Sequence, residues 1–462
     1  MSDTAILGIG TFASKLLVFF LMPFYTEYLS PGEYGIANLI SQTANLLIPL
    51  ACAGICDGLF RFTLDSSEDK PSVLKTGLTV LGIATAAFIA LSPILFFIDF
   101  FDGYAWLIVI YVLAANIHSA FAQYIRANDR PKLFALQGII NTSLVIIFNL
   151  IFLLGFDMGV TGYILSVVVA DTLVSIFLFA VAKLHRDIAK GEFKRELMSR
   201  MVKYSVPMIP TTIFWWITNV SDRFVITWIC GEAVNGLYSA SATIPTIITL
   251  VGGIFYEAWQ FSAVKDAEQK TKSDFFGQIF AYYSSLLFAA GAAIVLFCRI
   301  FVVILMAEEY SSAWQFIPTL TMASLFSSLT TFMGSAYLVK KKSVMSFLTS
   351  MAGAVINIIL NVLMIPTMGA QGAAIATVIS YITVFAIRTI TAQKYIRFKI
   401  NYILLMINTI LLIAQCAVTI AAPAYWWLWS GILAFAVLAV NAKSLLGCVV
   451  GILRQVLGKR TK

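Results

Sequence analysis

The sequence is poor in charge and lacks the motifs of common enzymes. Only 12% of its 462 residues are charged and 60% are hydrophobic, and the mean hydropathy of +0.90 lies outside the range of soluble proteins. It has two histidines and no Walker loop, H-E-x-x-H, G-x-S-x-G or G-x-G-x-x-G pattern. Its six cysteines show neither metal-ligand spacing nor a disulfide framework. These absences exclude transport powered by ATP through this chain, and we expect neither an enzyme nor a metal site.

What the sequence does contain is a series of long apolar runs. A helix needs about 20 apolar residues to cross a bilayer, and the sequence has fourteen runs of about that length. They lie near residues 4–26, 35–60, 76–98, 104–125, 133–155, 160–182, 203–228, 235–259, 277–300, 312–336, 345–366, 370–393, 403–422 and 426–447. We therefore predict an all-α integral membrane protein with about fourteen transmembrane helices.

The basic residues are concentrated in one set of loops. With a cytoplasmic N-terminus, the inner loops and the C-terminal tail hold 28 of the 31 Lys and Arg residues, and the outer loops hold none. The positive-inside rule then predicts that both termini are cytoplasmic. The net charge of +8 reflects this topology, so we expect no nucleic-acid partner. The remaining three basic residues, Lys15, Arg223 and Arg299, lie within apolar segments.

Two halves of the sequence resemble each other. LSPGEYGIANL around Glu33 recurs as ICGEAVNGLYSA around Glu232, and the G-x-x-G pattern at Gly159 recurs at Gly369. Six segments per half is an even number, so both halves enter the membrane from the same side, as in a parallel repeat. We predict two six-helix lobes followed by two further helices. The predicted boundaries are 1–182 for the first lobe, 183–203 for a basic cytoplasmic linker, 204–395 for the second lobe, and 396–462 for helices 13 and 14 with a basic tail.

Charged residues inside apolar segments are the candidate functional residues. Each costs about 2.5–3.5 kcal/mol in hydrocarbon unless it faces protein or water. Lys15 lies about 16 Å along its helix if that helix begins near Thr4, so it reaches the interface by snorkelling only with difficulty. Asp222 and Arg223 are helical neighbours that point about 100° apart, so they cannot pair within their own helix. For these residues we weigh a contact with cargo against snorkelling of Lys15 and against an ion pair between the lobes.

A lone carboxyl, Asp171, lies near the centre of the sixth segment. Membrane carboxylates often serve in proton or ion relays, so Asp171 is the candidate coupling site for H⁺ or Na⁺. The alternative is a buried, hydrogen-bonded Asp that only holds its helix in place. His118 is expected to be a satisfied packing residue.

The other charges near helix ends are expected to be structural. Asp57 and Arg61 lie four residues apart at an inner helix end, where an interfacial pair is the ordinary arrangement. Glu257 also lies at an inner helix end. Arg299, near the outer end of its segment, is expected to pair with an acidic residue at 308 or 309.

Several stretches of the chain resemble the polysaccharide transporter family. They are DRFVI at 222–226, GEAVNGLYSAS at 231–241, FYEAWQFSA at 255–263, NIILNVLMIPTMGAQGAAIAT at 357–377, GLFRF with Arg61, and YLVKKKS with Lys340 to Lys342. This family contains the Wzx-type flippases of lipid-linked oligosaccharides. It belongs to a superfamily that also includes multidrug exporters and lipid II flippases.

The resemblance implies a flippase with alternating access in the bacterial inner membrane. Its implied cargo is an undecaprenyl-diphosphate-linked oligosaccharide, such as an O-antigen or capsule repeat unit for lipopolysaccharide or surface polysaccharide, moved from the cytoplasmic to the outer leaflet. Cationic residues of the central cavity would meet the diphosphate, which makes Lys15, Arg223, Asp222 and Arg61 the candidate substrate-binding residues. Segments thirteen and fourteen would form a groove for the lipid tail. No cofactor is implied beyond a coupling Na⁺ or H⁺, and a polysaccharide polymerase is an open partner.

Two other functions stay open at this point. A cation-coupled multidrug antiporter of the same superfamily would line its lobes with carboxylates, whereas the first segment here carries a lysine. A polytopic membrane glycosyltransferase would need paired loop carboxylates and a large outer loop. The longest outer loop, near residues 301–312, has only about a dozen residues, which disfavours the enzyme.

Overall fold

A computed structural model describes residues 19, 21–65, 67–97, 103–128, 130–253, 272–339, 343–394 and 398–458. Helices account for almost all of this part of the chain and no β-strand occurs in it, which confirms the predicted fold class. The chain packs as two compact units, Met1–Val220 and Ser221–Lys462. The finer division into two lobes, a linker and two extra helices stays a prediction.

The N-terminal unit contains both short and long helices. In chain order they are α1 (Met22–Tyr28), α2 (Pro31–Ala51), α3 (Ile55–Thr63), α4 (Lys70–Leu91), α5 (Ala105–Ala127), α6 (Pro131–Asn149), α7 (Gly159–Val181), α8 (Leu184–Lys190) and α9 (Arg195–Ser205). A 3-10 helix, Ser92–Phe97, continues α4, and a π-helix, Leu150–Gly155, continues α6. The next helix, α10 (Ile209–Cys230), begins in this unit and ends in the other.

The C-terminal unit contains the longer helices. They are α11 (Glu232–Ser241), α12 (Lys272–Leu305), α13 (Ile317–Val339), α14 (Ser343–Met368), α15 (Ala370–Ala392), α16 (Tyr402–Ala421) and α17 (Trp426–Gly458). A short helix of tighter pitch, Glu308–Gln315, connects α12 to α13.

The number of membrane spans is lower in the described residues than the sequence predicts. Ten helical stretches are long and apolar enough to cross a membrane, and two bent pairs raise the number to twelve. The first predicted segment lies almost entirely outside the described residues. The seventh forms α10, which has the required length but is not among the apolar spans. Its run of Asn219, Ser221, Asp222 and Arg223 lowers its hydropathy, so the count of fourteen is not confirmed.

A sharp bend divides the second predicted segment. α2 and α3 meet at 58°, and Pro49 lies in the last turn of α2. Ala53 and Gly54 then adopt positive φ angles of 50° and 66°. A Cβ at Gly54 would lie 2.9 Å from the main-chain oxygen of Ser205 at the end of α9, so only glycine fits there. The break thus follows from proline chemistry and from the close approach of a second helix.

The matched sequences of the two halves form matching helix starts. α7 begins at Gly159 with φ of 52°, and α15 begins directly after Gly369 with φ of 60°. At the start of α2, the Glu33 carboxylate accepts a hydrogen bond from the Ser30 main-chain N–H at 2.9 Å, and the Ser30 hydroxyl accepts one from the Glu33 N–H at 3.3 Å. This capping box fixes the first turn of the helix. The repeat seen in the sequence is therefore also a local repeat of structure.

The basic linker predicted at 183–203 folds onto the N-terminal unit. It forms α8 and α9, and Lys75 Nζ on α4 donates a hydrogen bond to the Gly191 oxygen between them at 3.0 Å. Arg200 Nη2 lies 2.6 Å from Glu68 Oε1. Leu197 and Met201 on the inner face of α9 are buried against α3 and α4. The linker is thus a pair of amphipathic helices rather than an extended chain.

The last two helices are joined by buried amides. Asn408 on α16 and Asn441 on α17 exchange two side-chain hydrogen bonds of 3.1 and 2.7 Å. Gln415 Nε2 on α16 donates to the Ala292 oxygen of α12 at 2.9 Å. In a membrane, where apolar contact hardly distinguishes protein from lipid, such polar pairs select which helices associate.

Candidate functional site

The N-terminal unit holds a buried polar group that we call the histidine cluster: His118, Gln137, Asn141 and Asp171. His118 Nδ1 on α5 lies 2.9 Å from Asp171 Oδ1 on α7, and His118 Nε2 lies 2.7 Å from Gln137 Oε1 on α6. Asn141 Nδ2 donates to the same carboxylate oxygen at 2.7 Å. Asp171 is only 7% exposed. Three helices therefore meet at one ionisable pair.

The geometry of the histidine cluster suits a charged imidazole. Both ring nitrogens of His118 face an oxygen atom, and a neutral ring carries only one N–H. A doubly protonated ring satisfies both contacts, whereas a neutral ring requires the Gln137 amide to turn over and donate its NH₂ group. The cluster can therefore gain or lose one proton if the side-chain amide of Gln137 turns over.

The C-terminal unit holds a second buried carboxylate, in what we call the aspartate cluster: Ser221, Asp222, Tyr238, Asn357, Asn361 and Thr377. The Tyr238 hydroxyl on α11 donates to Asp222 Oδ2 at 2.6 Å, and the main-chain N–H of Arg223 donates to Asp222 Oδ1 at 2.9 Å. Asp222 is 6% exposed and Tyr238 is fully buried. The carboxylate that the sequence singled out is thus bound by its own unit.

Two asparagines one helical turn apart extend the aspartate cluster. Asn361 Nδ2 donates to Asn357 Oδ1 at 2.9 Å, and Asn357 Nδ2 donates to Thr377 Oγ1 on α15 at 3.2 Å. Ser221 Oγ on α10 donates to Asn357 Oδ1 at 3.4 Å. The cluster therefore connects α10 and α11 to α14 and α15.

A buried arginine on α15 forms a third polar centre. The Arg388 guanidinium donates to Thr349 Oγ1 at 3.0 Å, to the Thr330 oxygen at 3.1 Å and to Ser350 Oγ at 2.9 Å. It is 8% exposed, so counting it among the basic residues of an inner loop was wrong. A Cβ at Gly334 on α13 would lie 2.8 Å from Arg388 Nη1, so glycine makes room for the guanidinium. Arg388 thus joins α13, α14 and α15 through neutral acceptors.

An apolar groove of about 540 Å³ opens on the C-terminal unit between α13, α15 and α16. It is lined by Phe326, Ile382, Phe385, Ala386, Thr389, Ile390, Tyr402, Leu405, Met406, Thr409 and Ile410. Hydrocarbon is the chemistry that fits such walls. The groove lies beside helix 13 of the sequence analysis, where a lipid-tail groove was predicted.

The structure leaves the other predicted substrate-binding residues in separate places. Lys15 lies outside the described residues, as do Glu257 and Lys340 to Lys342. Arg61 is exposed on α3 in the N-terminal unit, whereas Arg223 belongs to the C-terminal unit. Hydrogen bonds from Ser67 hold the pKa of the Asp65 carboxyl, in the turn after α3, below its usual range, and the nearby charge of Arg61 adds to this effect. The role of these residues in cargo binding stays a prediction.

Sequence reasoning missed the partner of Asp171. His118 was expected to be a packing residue, but it is the direct partner of the candidate coupling carboxyl. A signal was present, since Gln137 and Asn141 lie four residues apart on one face of an otherwise apolar helix. The same spacing recurs at Asn357 and Asn361 in the aspartate cluster.

Comparison with protein families places the chain. A profile of the family described as "Polysaccharide biosynthesis protein" matches residues 1–259, more than half of the sequence. The chain belongs to this family. Among curated protein sequences, no match was found. Membership in the polysaccharide biosynthesis family agrees with the resemblance noted from the sequence.

Solved structures show the fold that this member of the polysaccharide biosynthesis family adopts. The lipid II flippase MurJ, in an inward-closed conformation, matches with a TM-score of 0.73 at 12% identity, covering 96% of this chain and 100% of the other. A multidrug resistance MATE-family transporter of the MOP superfamily, in an inward-facing conformation, matches with a TM-score of 0.63 at 15% identity, covering 84% and 95%. A MOP superfamily transporter from Pyrococcus furiosus matches with a TM-score of 0.57 at 13% identity, covering 85% and 95%. The chain thus has the fold of these membrane transporters.

Proposed function

We propose that the protein is a flippase that moves a polyprenyl-diphosphate-linked oligosaccharide from the cytoplasmic to the outer leaflet by alternating access. The observation that carries the proposal is the family match combined with a fold that covers the whole of a lipid flippase. A lipid-linked diphosphate cannot cross bare hydrocarbon, because its charges would lose their hydration without replacement. A protein pathway that supplies polar contacts removes this barrier while the lipid tail stays in the bilayer.

The extent of the structural matches favours a lipid flippase over a drug exporter. The flippase covers 96% of the chain, and the exporters cover 84–85%. The exporters leave about 70 residues of this chain uncovered. The region 396–462, which contains α16 and α17, is about this long. The first of these helices, α16, borders the apolar groove, as expected if this region serves a lipid tail rather than the fold alone.

The predicted contacts for the headgroup are Lys15 and Arg223. They are the two basic residues that the sequence places well inside apolar segments, one near the start of each half. An arginine offers a planar fork for phosphate oxygens and a lysine offers a compact charge, so together they suit a diphosphate. Arg61 and Asp222 complete the predicted set.

For coupling, we propose the histidine cluster. Its carboxylate faces an imidazole, whose ordinary titration falls between about pH 5 and 8, rather than a permanently charged partner. Two titratable groups of α5 face Asp171: His118, in direct contact, and Tyr111, through an electrostatic interaction. Proton binding and release at this pair would change the hydrogen bonds between α5, α6 and α7, and thereby the packing of the N-terminal unit.

A reconstituted flipping assay tests the function directly. The purified chain is placed in vesicles that contain a polyprenyl-diphosphate oligosaccharide with a fluorescent sugar, and dithionite added outside bleaches the sugars that reach the outer leaflet. With the protein, we expect the total fluorescence to be bleached completely. Without it, bleaching should stop near half, because only the outer leaflet is accessible to dithionite. Protein-dependent bleaching of a fluorescent phosphatidylcholine at the same rate would contradict cargo recognition.

The cation-coupled multidrug antiporter is the second candidate, because the exporter fold is also present. In the same vesicles, a proton or Na⁺ gradient would drive uptake of a cationic dye if the protein were such an antiporter. Dye uptake without oligosaccharide flipping would show that the protein is an antiporter and not a flippase.

A further inference from the structure

Arg299 lies between the faces of two tryptophan rings. Its guanidinium carbon is 3.8 Å from the centroid of the Trp314 ring and 4.2 Å from that of Trp426. Arg299 lies near the end of α12, Trp314 belongs to the short helix Glu308–Gln315, and Trp426 begins α17. We call this group the Arg299 sandwich. Both faces of the cation are therefore covered by aromatic rings from separate elements of one unit.

The edge of the guanidinium is not satisfied by the protein. Arg299 Nε is buried without a hydrogen-bond partner, and no hydrogen bond or ion pair to its other nitrogens occurs among the described residues. The expected pairing with Glu308 or Glu309 is therefore wrong, and both carboxylates are exposed. A guanidinium carries five N–H donors in one plane, and stacking satisfies none of them. An acceptor in that plane would complete the site.

The surroundings of the Arg299 sandwich are those of a membrane interface. Val303, one helical turn beyond Arg299, is 81% exposed, and Phe297 and Ile300 are exposed on the same helix. Next to Trp426, the side chains of Tyr425 and Trp427 are exposed, as in the aromatic belts that lie at headgroup level. Arg299 itself is partly exposed, so the Arg299 sandwich lies at the boundary between protein, lipid tails and headgroups.

We propose that the Arg299 sandwich binds the phosphate group of a membrane lipid in the leaflet at this end of the C-terminal unit. Arg recognises phosphate through two parallel N–H···O bonds, and the two indoles hold the fork in a fixed plane for this contact. The exposed apolar residues of α12 offer a surface for the acyl chains of the same lipid. By the positive-inside rule this leaflet is the outer one. The site does not depend on what cargo the protein carries.

Lipid titration followed by native mass spectrometry tests the site on the full chain in detergent. Phosphatidylglycerol is added to the wild type and to Arg299→Gln, and diacylglycerol with the same acyl chains is the phosphate-free control lipid. We expect the tightest bound phosphatidylglycerol to be weakened about ten- to a hundredfold by Arg299→Gln, the effect of losing a charged hydrogen-bonding pair. Diacylglycerol should bind both proteins equally.

Two comparisons separate the site from general charge and from free phosphate. Lys443→Gln removes an exposed cation from the middle of α17, seventeen residues beyond Trp426, and should leave the tight phosphatidylglycerol site unchanged. An equal loss in Lys443→Gln and Arg299→Gln would overturn the proposal in favour of diffuse attraction. Displacement of the lipid by millimolar inorganic phosphate would overturn the lipid as the occupant.

A measurement on the unmodified chain covers the case in which Arg299→Gln does not fold. Phosphatidylglycerol with a photoreactive diazirine in its headgroup is crosslinked to the protein, and the modified peptides are identified. We expect crosslinks in the peptides around Trp314 and Trp426. Arg299→Lys, which keeps the charge but loses the stacked fork, should reduce them without abolishing them. Crosslinks confined to other peptides, or unchanged lipid binding in a folded Arg299→Gln protein, would leave the sandwich as a structural contact and overturn the proposal.

Discussion

Among the described residues, each of the two units buries one carboxylate, but the two carboxylates have different partners. In the N-terminal unit, Asp171 faces the imidazole of His118 and the amide of Asn141. In the C-terminal unit, Asp222 faces the hydroxyl of Tyr238 and a main-chain N–H. A histidine exchanges protons in the physiological range, whereas a tyrosine hydroxyl ordinarily keeps its proton up to about pH 10. We call Asp171 with His118 the exchangeable pair and Asp222 with Tyr238 the fixed pair.

We propose that this difference gives the two units separate tasks. The histidine cluster is suited to respond to a proton, and the aspartate cluster is suited to hold α10, α11, α14 and α15 together. This asymmetry does not arise at matched positions of the repeat, because Asp171 lies in the sixth predicted segment and Asp222 in the seventh, whereas the helix starts at Gly159 and Gly369 do match. The predictions below test how far that asymmetry extends.

The largest effect is expected at the two predicted headgroup cations, one from each unit. Lys15→Ala should abolish oligosaccharide export, and Lys15→Arg should retain part of it because the charge is kept. Arg223→Lys should impair export more than Lys15→Arg does, because the planar fork for phosphate is lost. Export is measured as surface polysaccharide in cells with matched protein levels.

A variant of the aspartate cluster tests whether these cations contact the cargo at all. If Arg223 only compensates the charge of Asp222, the double variant Asp222→Asn with Arg223→Gln should restore folding and export. Near-normal export by that double variant, or by Lys15→Ala, would rule out contact of these cations with the cargo.

The next largest effect is expected at the exchangeable pair. Asp171→Asn and His118→Gln should each slow flipping by about tenfold, within the usual range of a coupling free energy, and should flatten its dependence on pH. Asp222→Asn should leave the pH dependence intact, because Tyr238 can still hydrogen-bond to the amide. The measurement is the flipping rate in vesicles between pH 5.5 and 8.5, chosen to span the ordinary range of histidine at about pH 5–8.

Ser175→Ala is the matched control for the histidine cluster. The Ser175 hydroxyl donates only to the main-chain oxygen of Asp171, at 2.7 Å, so its removal leaves the carboxylate contacts in place. An Asp171→Asn protein with unchanged rate and unchanged pH profile would reduce the cluster to a structural role.

A smaller effect, on stability rather than transport, is expected in the fixed pair. Tyr238→Phe leaves a buried carboxylate oxygen without its donor and should lower the free energy of unfolding by about 1–3 kcal/mol. Tyr25→Phe is the control, because the Tyr25 hydroxyl accepts from the neutral amide of Asn149 at 3.2 Å and its loss should cost less. Thermal unfolding in detergent measures both. Equal shifts in the two variants would show that Asp222 does not depend on Tyr238.

An effect on stability of similar size is expected at the matched helix starts. Gly159→Ala and Gly369→Ala place a side chain at positive φ and should each cost about 1–3 kcal/mol. At Gly159 the new Cβ would also lie 2.9 Å from Glu33 Oε1, whereas at Gly369 the nearest atom, Cys230 Sγ, is 4.0 Å away. Glu33→Ala should therefore partly relieve Gly159→Ala and leave Gly369→Ala unchanged. Gly32→Ala, where nothing lies within 4 Å, is the control in the same thermal assay.

The fold was largely accessible from the sequence, because apolar length and loop charge are properties of single segments. The site was accessible only in part. Asp171 stands out as a lone carboxyl in an apolar run, but its partner His118 lies 53 residues away, and their contact depends on how α5 and α7 are rotated about their axes. Hydropathy does not encode that rotation. Arg388 was misassigned because its partners are neutral hydroxyl and carbonyl groups, which leave no charge pattern in the sequence.

The reciprocal amides of Asn408 and Asn441 have a consequence for how the C-terminal hairpin assembles. The two bonds form in one alignment of α16 and α17. Sliding one helix by a single turn, about 5.4 Å, would leave both amides facing hydrocarbon. Such a shift would also break the hydrogen bonds of 3.2 Å that Gln415 and Thr419 of α16 donate to the Ser430 hydroxyl of α17. The asparagine pair thus fixes the register of α16 against α17 within the hairpin.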